Sequence, residues 1–345
     1  MKWEKLKPPE PDDPICCCEC DVYQYRCCCD CEDLDEALHM VPALLLLPLL
    51  LRVASLHYLL GIVVLTALPG LVLWYYYATH RRKRRTLFFL ALALYSLAYM
   101  YYLFLTEVWP RGGVGPLQVG AVTTGMILTL VSLVLTKRGP GFVDASLREA
   151  HGHGTGAAGD ATCQSGPAAG KETLTEKRSV CPVCRIRRPP RAGHCRTCGS
   201  CVQRLDHHCV INSCVGQANH RSFLQTLCVF VLTSVYGISL VLRSLCPQQH
   251  LMTALFYCPG VYSTALCFTC CWYSSIITAG LLHLLLSQVL NISFNVTERE
   301  AQLALRNKTG RSRLWGLVVD TGEHSRGLYQ NWVEFLTMAE ASASL

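Results

Sequence analysis

Two apolar stretches, LQVGAVTTGMILTLVSLVLT (residues 117–136) and LQTLCVFVLTSVYGISLVL (224–242), bracket the segment CPVCRIRRPPRAGHCRTCGSCVQRLDHHCVINSC (181–214). Each flank is close to the roughly 20 apolar residues that carry a helix across the hydrocarbon core of a bilayer. Neither flank contains a charged residue, whereas the segment between them holds seven cysteines and three histidines. A polar module rich in metal ligands is therefore suspended between membrane spans.

Composition agrees with this reading. Apolar residues make up 51% of the 345 and charged residues only 16%, and the mean hydropathy is +0.27. Soluble domains carry about 25% charged residues. The net charge of +7 could suggest a nucleic-acid partner. The basic residues, however, sit beside apolar spans and among cysteines, which suits cytosolic flanks near an anionic leaflet better than a DNA-reading face, and the flanking spans exclude a nucleic-acid zinc finger. No apolar region followed by a small-residue cleavage site occurs in the charged residues 1–40.

Working outward, residues 86–106 and 264–290 are two further spans, and 41–79 is long enough for two helices with a tight turn. One span preceded by an interfacial helix is the alternative for 41–79. His80 to Arg85 and Lys137-Arg138 are basic markers separated by two spans, so the positive-inside bias puts both in the cytosol. The expectation is an all-α polytopic membrane protein of about six transmembrane helices, with a small cytosolic zinc-binding domain; five spans would put the N-terminus outside. Its parts are a cytosolic Cys-rich tail (1–40), four helices in two hairpins (41–136), a flexible linker (137–178), the Cys/His domain (179–223), the last two spans (224–290) and a cytosolic tail (291–345). Glu107 to Pro116 form a short outer loop. The sequons at Asn291, Asn295 and Asn307 then lie on the cytosolic side and stay unglycosylated.

The 22 cysteines group as eight in 16–31, one at 163, seven in 181–214 and six near the last two spans. The first two groups and the 181–214 set fall on the side marked by Lys and Arg, where reduced thiols for metal or catalysis are expected. In 181–214, Cys181/Cys184, Cys195/Cys198 and Cys198/Cys201 are Cys-x-x-Cys steps, a spacing that lets two thiolates reach one tetrahedral zinc. Too few large apolar residues lie here to form a core, so metal would supply much of the folding free energy. Two tetrahedral sites need eight ligands, and seven Cys with three His supply ten. For two Cys3His sites the remainder is one His and one Cys, an imidazole to take a thiol proton and a thiolate to attack. Asp206 could orient that imidazole as a third member. The bland alternative is that all ten groups are structural, or that some are idle.

Taken together, Cys181 to Phe223, with Pro190-Arg191, His194-Cys195, Asp206-His207-His208-Cys209, Cys214-Val215-Gly216 and Asn219, closely resembles the cysteine-rich domain of DHHC palmitoyltransferases. Asn295-Val-Thr-Glu-Arg-Glu300 is similar to the family's TTxE motif, with Glu298 where a second Thr is usual. Gly327, Asn331 and Phe335 resemble its C-terminal PaCCT motif, and Gly139-Pro140-Gly141 its Asp-Pro-Gly motif without the Asp. The resemblance implies a protein-cysteine S-palmitoyltransferase, a transferase moving a long acyl chain from palmitoyl-CoA to cysteines of cytosolic or membrane-peripheral proteins. It implies one structural zinc on Cys181, Cys184, His194 and Cys201, and a second on Cys195, Cys198, His208 and Cys214. Cys209 is then the nucleophile, His207 its base and Asp206 the group that polarises His207. The family's habits also imply a Golgi or trans-Golgi membrane with the active site facing the cytosol. Arg187, Arg188, Arg191 and Arg204 are candidates for the CoA phosphates, with a solvated or lipid-facing role as the alternative.

One departure stands out. Four residues separate Cys209 from Cys214 where the family has five, and its Trp two residues after the nucleophile is absent. A loop shorter by one residue loses up to ~3.5 Å of reach, so either the loop adjusts or Cys214 is displaced. The rival function is therefore a catalytically impaired, zinc-bearing membrane scaffold. Elsewhere, Cys16-Cys17-Cys18-x-Cys20 and Cys27-Cys28-Cys29-x-Cys31 are candidates for metal binding or acylation. Arg52 and His57 read as a turn at the interface, and Trp74 to Tyr77 as an aromatic belt. Cys246 and Cys258 could form an outer disulfide.

Overall fold

A computed structural model describes residues 45–81, 87–143, 180–209, 211–256, 262–313 and 318–343. The N-terminal cysteine cluster, Cys163, Cys258 and most of the 137–178 linker lie outside these. The membrane part comprises α1 (Leu45–Leu56), α2 (Tyr58–Arg81), α3 (Phe88–Leu103), α4 (Pro116–Lys137), α5 (His220–Leu245), the short α6 (Leu251–Phe256) and α7 (Tyr262–Ser293). After α7 come α8 (Glu298–Asn307) and α9 (Leu328–Ala343). Three two-stranded antiparallel sheets complete the chain: β1 (Gly193–Cys195) with β2 (Ser200–Val202), β3 (His207–Cys209) with β4 (Ser213–Val215), and β5 (Arg311–Arg313) with β6 (Val318–Asp320).

Among the described residues, four helices are long and apolar enough to cross a membrane: 88–111, 116–137, 220–245 and 265–293. They coincide with the spans expected at 86–106, 117–136, 224–242 and 264–290. Of residues 41–79, expected to form a hairpin of two spans, α1 is described over 12 residues, about 18 Å at 1.5 Å each against a ~30 Å core. α2 has 24 residues with Pro69 inside. The break falls at His57, whose Nδ1 accepts the Leu59 N–H at 3.2 Å. Arg52 lies on the exposed face of α1. The outer loop expected from Glu107 is also shorter, because the third helix runs on as a π turn (Phe104–Val108) and a 3₁₀ turn to Arg111. Arg111 Nε donates back to the Glu107 carbonyl at 2.7 Å, closing that extra turn.

Packing in the bundle follows small and hydroxylated residues, as it must where lipid tails are as apolar as leucine. A Cβ on Gly125 would stand only 2.2 Å from Thr233 Oγ1, so α4 and α5 approach closely there. Ser234 and Thr278 hydroxyls bridge α5 to α7 at 2.5 Å, and Ser96 bonds Tyr273 at 3.0 Å between α3 and α7. Leu47, Leu51 and Leu65 dock the leading helices on Leu103, Cys270 and Tyr273. Cys246, at the far end of α5, is disulfide-bonded, and its partner lies outside the described residues.

The Cys/His domain hangs from the C-terminal end of α4. Gln203 N–H donates to Gly141 O at 2.8 Å and Val143 N–H to Cys201 O at 2.9 Å. Gly216 fits beneath this tether because a Cβ would meet Pro140 O at 2.5 Å and Val202 at the same distance. Asn219, buried just before α5, donates to Thr136 O at 2.7 Å and to Cys214 O at 2.8 Å, joining the two helix ends to the domain.

Candidate active site and metal centres

Strand alternation sorts the ligands. Successive side chains of a strand point to opposite faces, so His194 and Cys195 on β1 serve different sites, as do His208 and its neighbours on β3. Across each hairpin a His stands directly opposite a Cys: His194 opposite Cys201, and His208 opposite Cys214. Two four-ligand groups result, Cys181, Cys184, His194 and Cys201, and Cys195, Cys198, His208 and Cys214, with all ligand atoms of each group within 4.8 Å of one another. Two of the three Cys-x-x-Cys steps are true knuckles: the N–H of Cys184 lies 3.4 Å from Cys181 Sγ, and that of Cys198 at the same distance from Cys195 Sγ. The third, Cys198/Cys201, is divided between the sites.

The geometry suits zinc. Bonds of roughly 2.3 Å to sulfur and 2.05 Å to nitrogen at a tetrahedral angle set sulfur and nitrogen about 3.6 Å apart. In the second group His208 Nδ1 lies 3.6, 3.5 and 3.5 Å from the sulfurs of Cys195, Cys198 and Cys214. In the first, His194 Nδ1 is 3.3 Å from Cys184 Sγ and 3.8 Å from Cys201 Sγ. The thiols also need a cation to ionise together: burial and the neighbouring Cys181 and Cys184 push Cys201 up to about 12. Either group could hold a metal ion, which when bound would cross-link hairpins that have almost no apolar core.

The shortened loop after Cys209 does not displace Cys214. β3 and β4 close through a tight turn in which Asn212 takes the left-handed conformation (φ 56°) and its N–H donates to Cys209 O at 3.1 Å. Asn tolerates that conformation better than most residues, and short hairpin turns characteristically place a residue there. From α4, Lys137 Nζ donates to Ile211 O at 3.1 Å.

The remaining pair, His207 and Cys209, lies two residues apart on β3 and thus on one face, away from His208. Asp206 is fully buried and accepts on both oxygens. His207 Nδ1 is 2.7 Å from Oδ2, Gln288 Nε2 3.3 Å from Oδ2, and the Glu298 N–H 2.8 Å from Oδ1. Burial disfavours its charge, but the His207 bond, the neighbouring imidazoles and the Glu298 N–H at the start of α8 hold its carboxyl well below the usual range. Burial likewise opposes the imidazolium of His207, yet bonds to Asp206 and Cys209 raise it to about 10. With Nδ1–H committed to Asp206, Nε2 is the nitrogen available to Cys209. The Phe223 ring stands edge-on to the imidazole at 5.4 Å. Cys209 is buried with Val215, Phe223 and Leu227, beside Ile211 of the turn and Leu281, Leu284 and Leu285 of α7.

The tail supports this site by backbone rather than side chain. Thr297 caps α8 in a reciprocal box with Glu300, so the Glu in place of Thr at 298 is immaterial to the Asp206 contact. Arg191 forks onto Glu300 at 2.8 and 2.7 Å and reaches Asn295 Oδ1, which Arg204 also contacts at 2.7 Å. These internal contacts engage the guanidinium groups of Arg191 and Arg204, two of the four candidates for the CoA phosphates. The Asn295 amide donates to His324 O and Glu334, and Asn291 is equally buried, so these two sequons are closed to modification by packing. Gln288, His220 and Asn295 were not among the expected site residues. The first had a visible signal, a lone amide in an apolar span.

The family model for DHHC palmitoyltransferases matches residues 174–304. Over the length of the chain the similarity is to palmitoyltransferase ZDHHC23-A of Danio rerio, 58% identical and covering 98% of this chain and 96% of the relative. Palmitoyltransferase ZDHHC23-B of Danio rerio is 52% identical over 99% and 96%, and ZDHHC23 of Homo sapiens 51% identical over 82% and 77%. With the paired Cys3His groups and the Asp206-His207-His208-Cys209 run in place, the chain belongs to the DHHC palmitoyltransferase family.

Proposed function

We propose that this protein is a membrane-embedded protein S-palmitoyltransferase that works through an acyl-Cys209 intermediate. The observation that carries the reading is the bond from Asp206 to His207, which shares one face of β3 with Cys209, beside apolar side chains of α5 and α7. His207 Nε2 takes the Cys209 proton, and the thiolate attacks the thioester carbonyl of palmitoyl-CoA. The carbon–sulfur bond to CoA breaks, and CoA leaves with the proton returned from His207. A substrate cysteine then gives its proton to His207, attacks acyl-Cys209 and expels the Cys209 thiolate. Both steps exchange thioester for thioester, so no nucleotide is consumed. Burial of the chain's methylenes beside Leu227, Leu281, Leu284 and Leu285 favours binding by ~0.8 kcal/mol each. The two ligand groups hold zinc as structural ions, and the protein substrates lie at the cytosolic face of an endomembrane such as the Golgi. In support of that orientation, the disulfide at Cys246 sits at the opposite end of the 26-residue α5 from the thiol-rich domain.

Purified protein incubated with an alkyne analogue of palmitoyl-CoA tests the reading. Hydroxylamine-sensitive label is expected on the wild type and absent from Cys209→Ser. A wild type that takes up no label returns the chain to the scaffold reading.

A further inference from the structure

We propose that Gln288, in the inner half of α7, is a positioning residue that sets the orientation of Asp206 and through it the tautomer of His207. The inference rests on the acyl-transfer reading and adds a residue from a transmembrane helix to it. Gln288 is 2% exposed on α7, where it follows the apolar run Leu284 to Leu286 and Ser287. A buried amide is unfavourable unless both its functions are bonded, and here both are: Oε1 lies 2.7 Å from His220 Nε2, and Nε2 lies 3.3 Å from Asp206 Oδ2.

The direction of this chain follows from its end. The Asp206 carboxylate already accepts from His207 Nδ1 and from the Glu298 N–H, so only a donor can face it, and that is the amide NH₂ of Gln288. The amide oxygen then faces His220, which must carry its proton on Nε2. His220 is itself held, 4% exposed, with the Phe335 ring of α9 edge-on at 5.1 Å. A carboxylate can turn about its Cβ–Cγ bond. The Glu298 N–H pins Oδ1 and Gln288 pins Oδ2, so the plane is fixed with Oδ2 toward His207. Freed on one side, Asp206 no longer holds Nδ1–H, and Nε2 is no longer dedicated to Cys209. α7 also carries Leu281, Leu284 and Leu285 beside Cys209, so one helix both lines the nucleophile and orients its base.

The test uses the full chain in detergent, as wild type, Gln288→Met, Asp206→Asn and the double variant. Self-acylation of Cys209 is followed against palmitoyl-CoA concentration, and zinc is measured by elemental analysis. Gln288→Met should lower the maximal rate roughly tenfold or more, the scale on which outer partners of functional groups act. Half-saturation and zinc content should stay unchanged, and in the Asp206→Asn background the same substitution should have no further effect. Unchanged rates, a shifted half-saturation, lost zinc or multiplicative effects in the double variant would each overturn the proposal. If Gln288→Met does not yield folded protein, Gln288→Asn, which keeps the amide but shortens its reach, should be slowed with zinc retained; wild-type rates there would overturn it equally. Absence of label on the wild type would instead sink the acyl-transfer reading itself.

Discussion

His208 and Cys214 stand directly opposite each other across the β3–β4 hairpin, imidazole Nδ1 to sulfur at 3.5 Å. That pairing places the second metal group on one face of β3 and leaves His207 and Cys209 on the other. If it is a ligand pair, Cys214→Ser should bring the zinc content from two ions per chain to about one, read by elemental analysis. Loss of Cys209 labelling should accompany it, because the face that presents Cys209 is built on the same hairpin. Two ions retained by the variant would mean that Cys214 is not a ligand.

The turn that absorbs the shortened loop gives a second prediction. Asn212 sits at φ 56°, where a β-branched residue is disfavoured by about 1–2 kcal/mol and glycine is not. Asn212→Gly should keep both zinc ions and wild-type thermal stability, whereas Asn212→Val should unfold at lower temperature and release zinc more readily to a chelator. Equal behaviour of the two variants would show that the left-handed turn is not what closes the loop.

Much of this site was legible from residue types alone. Ten potential ligands against a need for eight pointed to one spare His and one spare Cys, and family resemblance assigned them to His207 and Cys209. The alternation of β3 supplies the physical reason, since neighbours 207 and 208 cannot face the same way. What could not be read lies in contacts between distant parts of the chain. Gln288 meets Asp206 across 82 positions, and Asn295 gathers Arg191, Arg204 and Glu334 from three separate segments. The membrane part shows the same division. Apolar length located four spans, but the break at His57 and the extra turn through Glu107 depend on single local hydrogen bonds, to Leu59 N–H and from Arg111.

The docking of the tail should depend on pH through Glu300. Burial works against its charge, but the Arg191 fork prevails and holds the carboxyl below its ordinary 4.5. A depressed folded-state pKa contributes stability that is present above 4.5 and lost as pH falls through the folded value. Glu300→Gln should therefore unfold at a lower temperature than wild type at neutral pH, by an amount corresponding to about 2 kcal/mol for a charge-assisted pair. The gap between the two proteins should narrow as pH drops below 4.5. A gap that stays constant into acid would mean that the ionised Arg191 pair is not its source.

Topology gives the last prediction, because redox chemistry marks the two sides of a membrane. The thiol groups of 181–214 require a reducing compartment to hold metal, and the bonded Cys246 an oxidising one. With a crossing at each of the four described helices long and apolar enough for one, 88–111, 116–137, 220–245 and 265–293, these groups fall on opposite sides, since the thiol-rich domain joins the second to the third and Cys246 follows the third. In sealed microsomes with the cytosolic face outward, a maleimide that cannot cross lipid should reach Cys228→Ser protein stripped of zinc at the 181–214 cysteines without detergent. Cys246 should react only after both permeabilisation and reduction. Labelling of Cys246 in sealed, unreduced vesicles would invert the topology, and with it the cytosolic placement of Cys209.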